Sequence, residues 1–246
     1  NTIDLSAART AGVRVCNTPG QNAAAVAELT LGLMLAIDRK IADNVIDLRA
    51  GTWNKALYSN ARGLKGRTLG IVGIGSIGKE VAIRAKAFDM QLAAFHRPGS
   101  STEKEAFFDN HGIARYASVE ELAGVSDYLT VHVPAGASTE GLLGEHILSL
   151  MKPGSVVLNL SRSSIVDEPA LIRALDEQDL WAGIDVFADE PSASTGSIDS
   201  ALARHPRVYG THHIGASTAE AQQAVSDAVI RVIDSLETDN VLYEVT

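Results

Sequence analysis

The 246-residue chain has a single cysteine, Cys16, which excludes an internal disulfide and a cysteine-based zinc site. No metal site is expected, and such thiol usage suits a reducing compartment, so the expected location is cytoplasmic. Positive charge is also scarce. Lys and Arg total 21 against 30 Asp and Glu, a formal net charge of −9. Nucleic acid and anionic membranes both require a basic face, so neither is an expected partner. Any anion must be held in a local pocket. Long apolar runs are missing too: the longest, Ala23 to Ile37, is interrupted by Glu28 and is too short to span a bilayer. The first residues do not read as a secretory signal. They also lack an initiating Met, and "NTIDLSAARTAGVRV" reads as mid-chain sequence, so the expectation is a chain that begins inside a longer protein.

What is present is ordinary globular material, 46% hydrophobic and 21% charged, enough for one large α/β domain or two small ones. Val26, Leu29, Leu33, Ile37, Ile41, Val45 and Leu48 recur at steps of three and four, which predicts one long helix over 22–49, ended by Gly51. From Arg67 onward, β-rich runs are predicted at 67–72, 91–95, 114–116, 127–133, 154–160, 181–187 and 207–210. Helical stretches are predicted between most of them, at 77–88, 102–110, 118–124, 144–150, 167–177 and 199–204. A final amphipathic helix is predicted over 216–236. Runs such as "YLTVHV" and "SVVLNL" are apolar on both faces, as in a buried parallel sheet. Strand–helix alternation of this kind implies a doubly wound α/β sheet. The loop 188–200 is the only one long enough to suggest a function of its own.

The stretch "GIVGIGSIG" places Gly73, Gly75 and Gly78 as G-x-G-x-x-G between a strand and a helix. Gly73 permits the tight turn, Gly75 lets backbone approach a pyrophosphate, and Gly78 allows close helix–strand packing. The anion would rest on free N–H groups around Ser76 and Ile77 at the helix N-terminus. This marks a Rossmann-type dinucleotide-binding domain. Eighteen residues past Gly78, where an acid would accept from the adenosine ribose, the chain has His96 and Arg97. A guanidinium offers paired donors to a phosphate, so NADP is favoured over NAD.

Three later stretches carry chemistry. "NLSRSSIVDEPAL" puts Arg162 past the end of a buried strand, "AGIDVFADEP" puts Asp185 and Glu190 past the next, and "THHIGAST" puts His212 and His213 past the last. Each is bland alone, since Arg, His and acid–Pro pairs are common at surfaces. Together they share one sheet edge with the glycine loop, where ligand crevices form.

With these motifs the sequence resembles the D-isomer-specific 2-hydroxyacid dehydrogenases, and "HIGAST" followed by "AEAQ" is most similar to the phosphoglycerate dehydrogenase branch. The resemblance extends from "VCNTPGQNAAAVAELTLGLMLA" through "KGRTLGIVGIGSIGKEVA", "VHVP" and "MKPGSVVLNLSR" to the tail. It implies Arg162, Glu190 and His213 as catalytic residues. It implies pyrophosphate contacts at Ser76–Ile77, adenosine ribose near His96, and nicotinamide-side contacts at Val133, Leu160, Ser161, Arg162, Asp185, His213, Gly215 and Ala216. Chemically the roles are coherent. An imidazole's ordinary pKa of roughly 6.5 suits an acid/base, a carboxylate can hold its other nitrogen, and a guanidinium can grip a substrate carboxylate. The family's usual Arg-Gly is Arg162-Ser163 here, harmless unless that position needs a positive φ. Its usual Pro-His is His212-His213, where position favours His213.

The resemblance further implies that residues 1–16 end a truncated substrate domain, 17–213 form the dinucleotide-binding domain with a helical arm at 22–49, and 214–246 return to the substrate domain. It implies a 2-hydroxy or 2-keto acid as the small-molecule partner, with 3-phosphoglycerate-like acids, glyoxylate and hydroxypyruvate as candidates, and a homodimer paired through the arm. Two other readings are compatible with the same residues: a cofactor-sensing, corepressor-like binding protein, and a cofactor-binding domain without activity of its own.

Overall fold

A computed structural model describes residues 3–97, 99–236 and 241–245. Seven strands lie in one sheet, all parallel: β1 (Thr68–Val72), β2 (Gln91–Phe95), β3 (Ala114–Tyr116), β4 (Tyr128–Val131), β5 (Val156–Asn159), β6 (Trp181–Ile184) and β7 (Val208–Gly210). Their order is β3-β2-β1-β4-β5-β6-β7. The direction of winding reverses between β1 and β4, and that gap opens a crevice at the strands' C-terminal ends.

Strand side chains alternate between two cores. Leu69 and Ile71 of β1 and Val156 and Leu158 of β5 face one side, where α2 (Ala23–Arg39), α4 (Ser76–Ala87) and α5 (Thr102–His111) cover them. Leu129 and Val131 of β4 and Val157 of β5 face the other, under α6 (Val119–Val125), α7 (Glu145–Ser149) and α8 (Glu168–Glu177). Caps agree with the chain's chemistry: Ser101, Ser118 and Asp167 each accept from a first-turn N–H of α5, α6 and α8.

The predicted strands are longer than the real ones mainly at their C-terminal ends. Residues 132–133, 160 and 185–187 leave the ladder there and build the crevice instead of the sheet. The helix expected over 22–49 is corrected to two. Lys40 adopts φ 47°, caps α2 and starts α3 (Ile41–Arg49) in a new direction. Its side chain lies over the Trp181 ring at 5.5 Å, so the turn residue also covers the sheet edge. No residue of α3 is buried, and Ile46 and Leu48 are exposed. Periodicity alone registers amphipathic spacing and cannot see a single left-handed residue. The helix expected at 199–204 is likewise a turn, in which Ser200 Oγ accepts from Ala203 N just before β7.

Two short elements were not foreseen: α1 (Leu5–Thr10) and a 3-10 turn over Ser163–Ile165. The last helix, α9 (Ala219–Ser235), starts at the Thr218 cap. After it the chain returns to the N-terminal segment: Cys16 forms an antiparallel bridge with Glu244, and Arg14 pairs with the Glu244 carboxylate at 3.1 Å. Residues 237–240 and 246 of the expected tail lie outside the described residues. No described helix is long and apolar enough to cross a membrane.

At the N-terminal edge of the sheet, Asp127 gathers the cations, with Arg67 at 3.4 Å, Arg62 at 3.5 Å and Lys152 at 3.8 Å. The Asp127 carboxylate is thus paired within the fold. Leu158→Ala, which removes a fully buried side chain at the centre of the sheet, is expected to lower the free energy of urea unfolding by about 2–5 kcal/mol. Ile46→Ala on exposed α3 should change it by no more than about 0.5 kcal/mol in the same monomer.

Candidate active site

The glycine loop joins β1 to α4 in the manner its spacing requires. Gly73 has φ 105°, and a Cβ there would lie 2.5 Å from the carbonyl oxygen of His132. A Cβ on Gly78 would overlap the carbonyl oxygen of Gly73. Gly75 faces open space and caps α4 without any side-chain hydrogen bond. The first N–H groups of α4, at Ser76 and Ile77, therefore point from an uncapped helix end into the crevice mouth, as a pyrophosphate site requires.

Beside this turn is a cleft of about 270 Å³ whose wall includes Ile77, Val133, Leu160, Ser161, Arg162, Asp185, His213, Gly215 and Ala216. Residues foreseen on five separate segments thus meet on one surface. Asn22, Val26, His132, Pro134 and Ala135 complete the lining and were not singled out from the sequence. The sequence did carry one signal for them, a lone histidine inside the otherwise apolar strand end "YLTVHV".

Several groups in the cleft are held from behind. Asn159, 1% exposed at the end of β5, accepts from Ser161 N and Oγ and donates to the Arg162 carbonyl at 2.9 Å. This fixes the backbone around Arg162. The guanidinium touches only its neighbour's carbonyl, Ser161 O, and no carboxylate among the described residues. Unlike the cations around Asp127, it retains its charge for something else. Ser163 lies in the 3-10 turn outside the left-handed region, so replacing the usual glycine needs no special conformation.

Asp185 is 1% exposed and accepts from Thr211 Oγ1 at 2.6 Å and from the N–H groups of Ile214 and Gly215, both at 2.9 Å. Those two N–H groups converge because His213 adopts φ 52°, a conformation that costs a non-glycine residue about 1–2 kcal/mol. A single buried carboxylate thereby stabilises the bend that presents His213. His213 Nδ1 lies 2.7 Å from Glu190 Oε2, while Glu190 Oε1 accepts from Phe187 N at 2.7 Å. Glu190 stands behind the imidazole and does not itself line the cleft. His212 is exposed and has no such partner among the described residues, so of the two histidines it is His213 that meets the carboxylate.

His96 and Arg97 lie at the end of β2, on the far side of the glycine turn and outside this cleft. His96 Nε2 is 2.5 Å from Glu105 Oε1, and Arg97 stands over the Phe95 ring at 5.7 Å. No group of three or more His, Cys, Asp or Glu side chains able to hold a metal occurs among the described residues.

This is a dinucleotide-binding α/β domain with a polar triad at its crevice. Residues 31–215 match the model of the D-isomer specific 2-hydroxyacid dehydrogenase NAD binding domain, and the chain belongs to that family. It is 38% identical over 232 residues to hydroxypyruvate reductase of Thermotoga maritima, spanning 94% of this chain and 72% of that protein. It is 38% identical over 237 residues to D-3-phosphoglycerate dehydrogenase of Rattus norvegicus, spanning 96% of this chain but only 42% of that protein. Among solved structures, an acyclic imino acid reductase in complex with NADPH and D-Arg superposes with a TM-score of 0.86 at 28% identity, covering 99% of this chain and 75% of that one.

His132 lies beneath the cleft with Nε2 2.9 Å from Thr130 Oγ1 and no partner for Nδ1 among the described residues. Burial pushes its pKa down to about 4, below the roughly 6.5 of an unfolded histidine. The unfolded chain therefore takes up a proton that the folded chain refuses between those two values. The corresponding stability is complete above about pH 6.5 and is lost as pH falls toward 4. Urea unfolding from pH 7 to 4 should show about 3 kcal/mol more loss in the native chain than in His132→Gln.

Proposed function

We propose that the chain is the cofactor-binding part of a nicotinamide-dependent oxidoreductase that interconverts a D-2-hydroxy acid and the corresponding 2-keto acid. The observation that carries this reading is the contact of His213 with Glu190 at 2.7 Å beside the uncommitted guanidinium of Arg162, on one cleft wall. A bound nicotinamide supplies the hydride, or receives it in the reverse direction. The chain's own residues do the rest. Arg162 binds the substrate carboxylate through two parallel donors and draws electron density from the adjacent carbonyl. His213 gives a proton to the carbonyl oxygen as hydride reaches the carbon, and takes it back in oxidation. Glu190 keeps the ring aligned through Nδ1, which leaves Nε2 for the substrate. Asp185 acts one step behind, as the anchor of the His213 bend.

The cofactor would lie with its pyrophosphate at Ser76–Ile77, its nicotinamide end along Val133, Leu160 to Arg162, Asp185 and His213 to Ala216, and its adenosine ribose at His96. The residues present fit such a group. Bulk is excluded at Gly73 and Gly78, where backbone needs the room, and space is open at Gly75. Arg97 and the absence of an acid at the end of β2 favour NADP(H), in keeping with the NADPH named for one structural relative. The substrate class follows the relatives named for hydroxypyruvate, phosphoglycerate and glyoxylate. The bridging of residues 14–17 to the tail supports residues 1–16 and 214–246 as a remnant of a second, substrate-binding domain. Exposed Ile46, Leu48 and Trp53 on and after α3 suit a homodimer contact.

Absorbance at 340 nm with glyoxylate, hydroxypyruvate, pyruvate or 3-phosphohydroxypyruvate tests the activity in the intact protein. Arg162→Ala and His213→Ala should each lower kcat/KM by at least about a hundredfold while the dissociation constant for NADPH stays within about threefold. Normal turnover in either variant would end this assignment of roles. Arg97→Ala should weaken NADPH by about tenfold or more and leave NADH nearly unchanged, as fluorescence titration would show. An equal effect on both would end the argument for NADP.

A further inference from the structure

The end of β2 carries more than the loss of an acid. The His96 side chain is 15% exposed, and its ring meets the edge of buried Phe108 at a centroid separation of 5.2 Å. Its backbone N–H donates to Tyr116 O at 2.9 Å, so neither ring nor backbone is free to turn away. Glu105, one turn into α5, brings Oε1 to 2.5 Å from Nε2. Arg115 of β3 clamps Glu105 Oε2 through Nε at 3.3 Å and Nη2 at 3.2 Å, and also reaches Asp109 at 2.7 Å. The Glu105 pKa is held below the ordinary carboxylate range, first by the His96 hydrogen bond and then by Arg115, with partial burial opposing both. Nε2 therefore faces an acceptor at all neutral pH values and keeps its hydrogen. Nδ1, the other ring nitrogen, has no partner among the described residues.

Nδ1 can thus meet a ligand in two ways. Without a proton it is an acceptor and suits a hydroxyl; with one it is a charged donor and suits a phosphate oxygen. We propose that His96, held by Glu105, is a protonation switch between the two dinucleotides. The neutral ring accepts from the ribose 2′-hydroxyl of NAD(H), and the imidazolium donates to the 2′-phosphate of NADP(H), beside the fixed charge of Arg97. Glu105 is the positioning residue. The acid missing from the strand end is supplied by the next helix, behind the base contact rather than in it. This rests on the reading of that strand end as the adenosine end of the site.

The other charged groups on the elements packed against the ring are carboxylates, lysines and arginines. They are Arg97 on its own strand end, Glu103, Lys104, Glu105 and Asp109 on α5, Arg115 on β3, and Lys79 on α4, which is tied to Glu103 at 2.6 Å. The 2′-phosphate itself gains negative charge as pH rises past about 6, which strengthens its attraction to cations. A decline in NADPH binding with rising pH therefore has the opposite sign to the ligand's own ionisation.

The test is fluorescence titration of the chain with NADPH and with NADH between about pH 6.5 and 8.5. NADPH affinity should fall with rising pH, by up to about tenfold per unit, while NADH affinity stays level or rises. His96→Gln should abolish the slope, and Glu105→Gln should move the decline to lower pH with NADH binding retained. Arg97→Ala should weaken NADPH at every pH and leave the slope intact. A ratio of the two affinities that does not change with pH overturns the switch, as does a native slope in His96→Gln. A native profile in a Glu105→Gln variant with an unchanged unfolding midpoint overturns the role of Glu105. Binding of neither dinucleotide would overturn the cofactor site itself, a separate and recognisable result.

Discussion

The close approach of backbone to backbone at the β1–α4 turn is the constraint on which the rest depends. Gly73 lies against the carbonyl of His132 at the end of β4, and Gly78 lies against the carbonyl of Gly73. No side chain fits between them, so β1, β4 and the first turn of α4 meet with their polar groups exposed on one side. That side is the crevice. The helix end it presents has no cap of its own, and the strands beyond it stop pairing after Val131 and Asn159. Arg162, Asp185, Glu190 and His213 all lie on chain released at that edge.

Charge is handled differently at the two edges of the sheet. At the N-terminal edge, Arg62, Arg67 and Lys152 gather on the Asp127 carboxylate. At the C-terminal edge, the acids face inward and hold things in place. Asp185 secures the bend at His213, Glu190 aligns its ring, and Glu105 aligns the ring of His96. The cations Arg162 and Arg97 meet no carboxylate among the described residues. In a protein of net charge −9, these two cations are therefore local exceptions to the overall balance.

Much of this was legible in advance for definite reasons. G-x-G-x-x-G constrains backbone and therefore survives as a spacing, and Arg162, Glu190 and His213 follow strands whose two-sided apolar character announces a parallel sheet. The break at Lys40 was not legible, since a lysine carries no mark of positive φ. His132 was marked only as a lone histidine in "YLTVHV", and a residue just past a strand end reads as an extension of the strand.

The alternation of strands and helices from β1 on, the glycine turn and the presence of Arg162, Asp185 and His213 at the crevice follow from the sequence by itself. They depend on period, composition and short-range spacing, which act within a few residues. Tertiary structure alone decided that Glu190 holds His213 through Nδ1, that Asp185 spends its oxygens on the loop carrying that histidine, and that Glu105 reaches His96 from another helix. These are contacts between residues 9 to 30 positions apart, made by side chains whose directions are set only when the two faces of the sheet are covered.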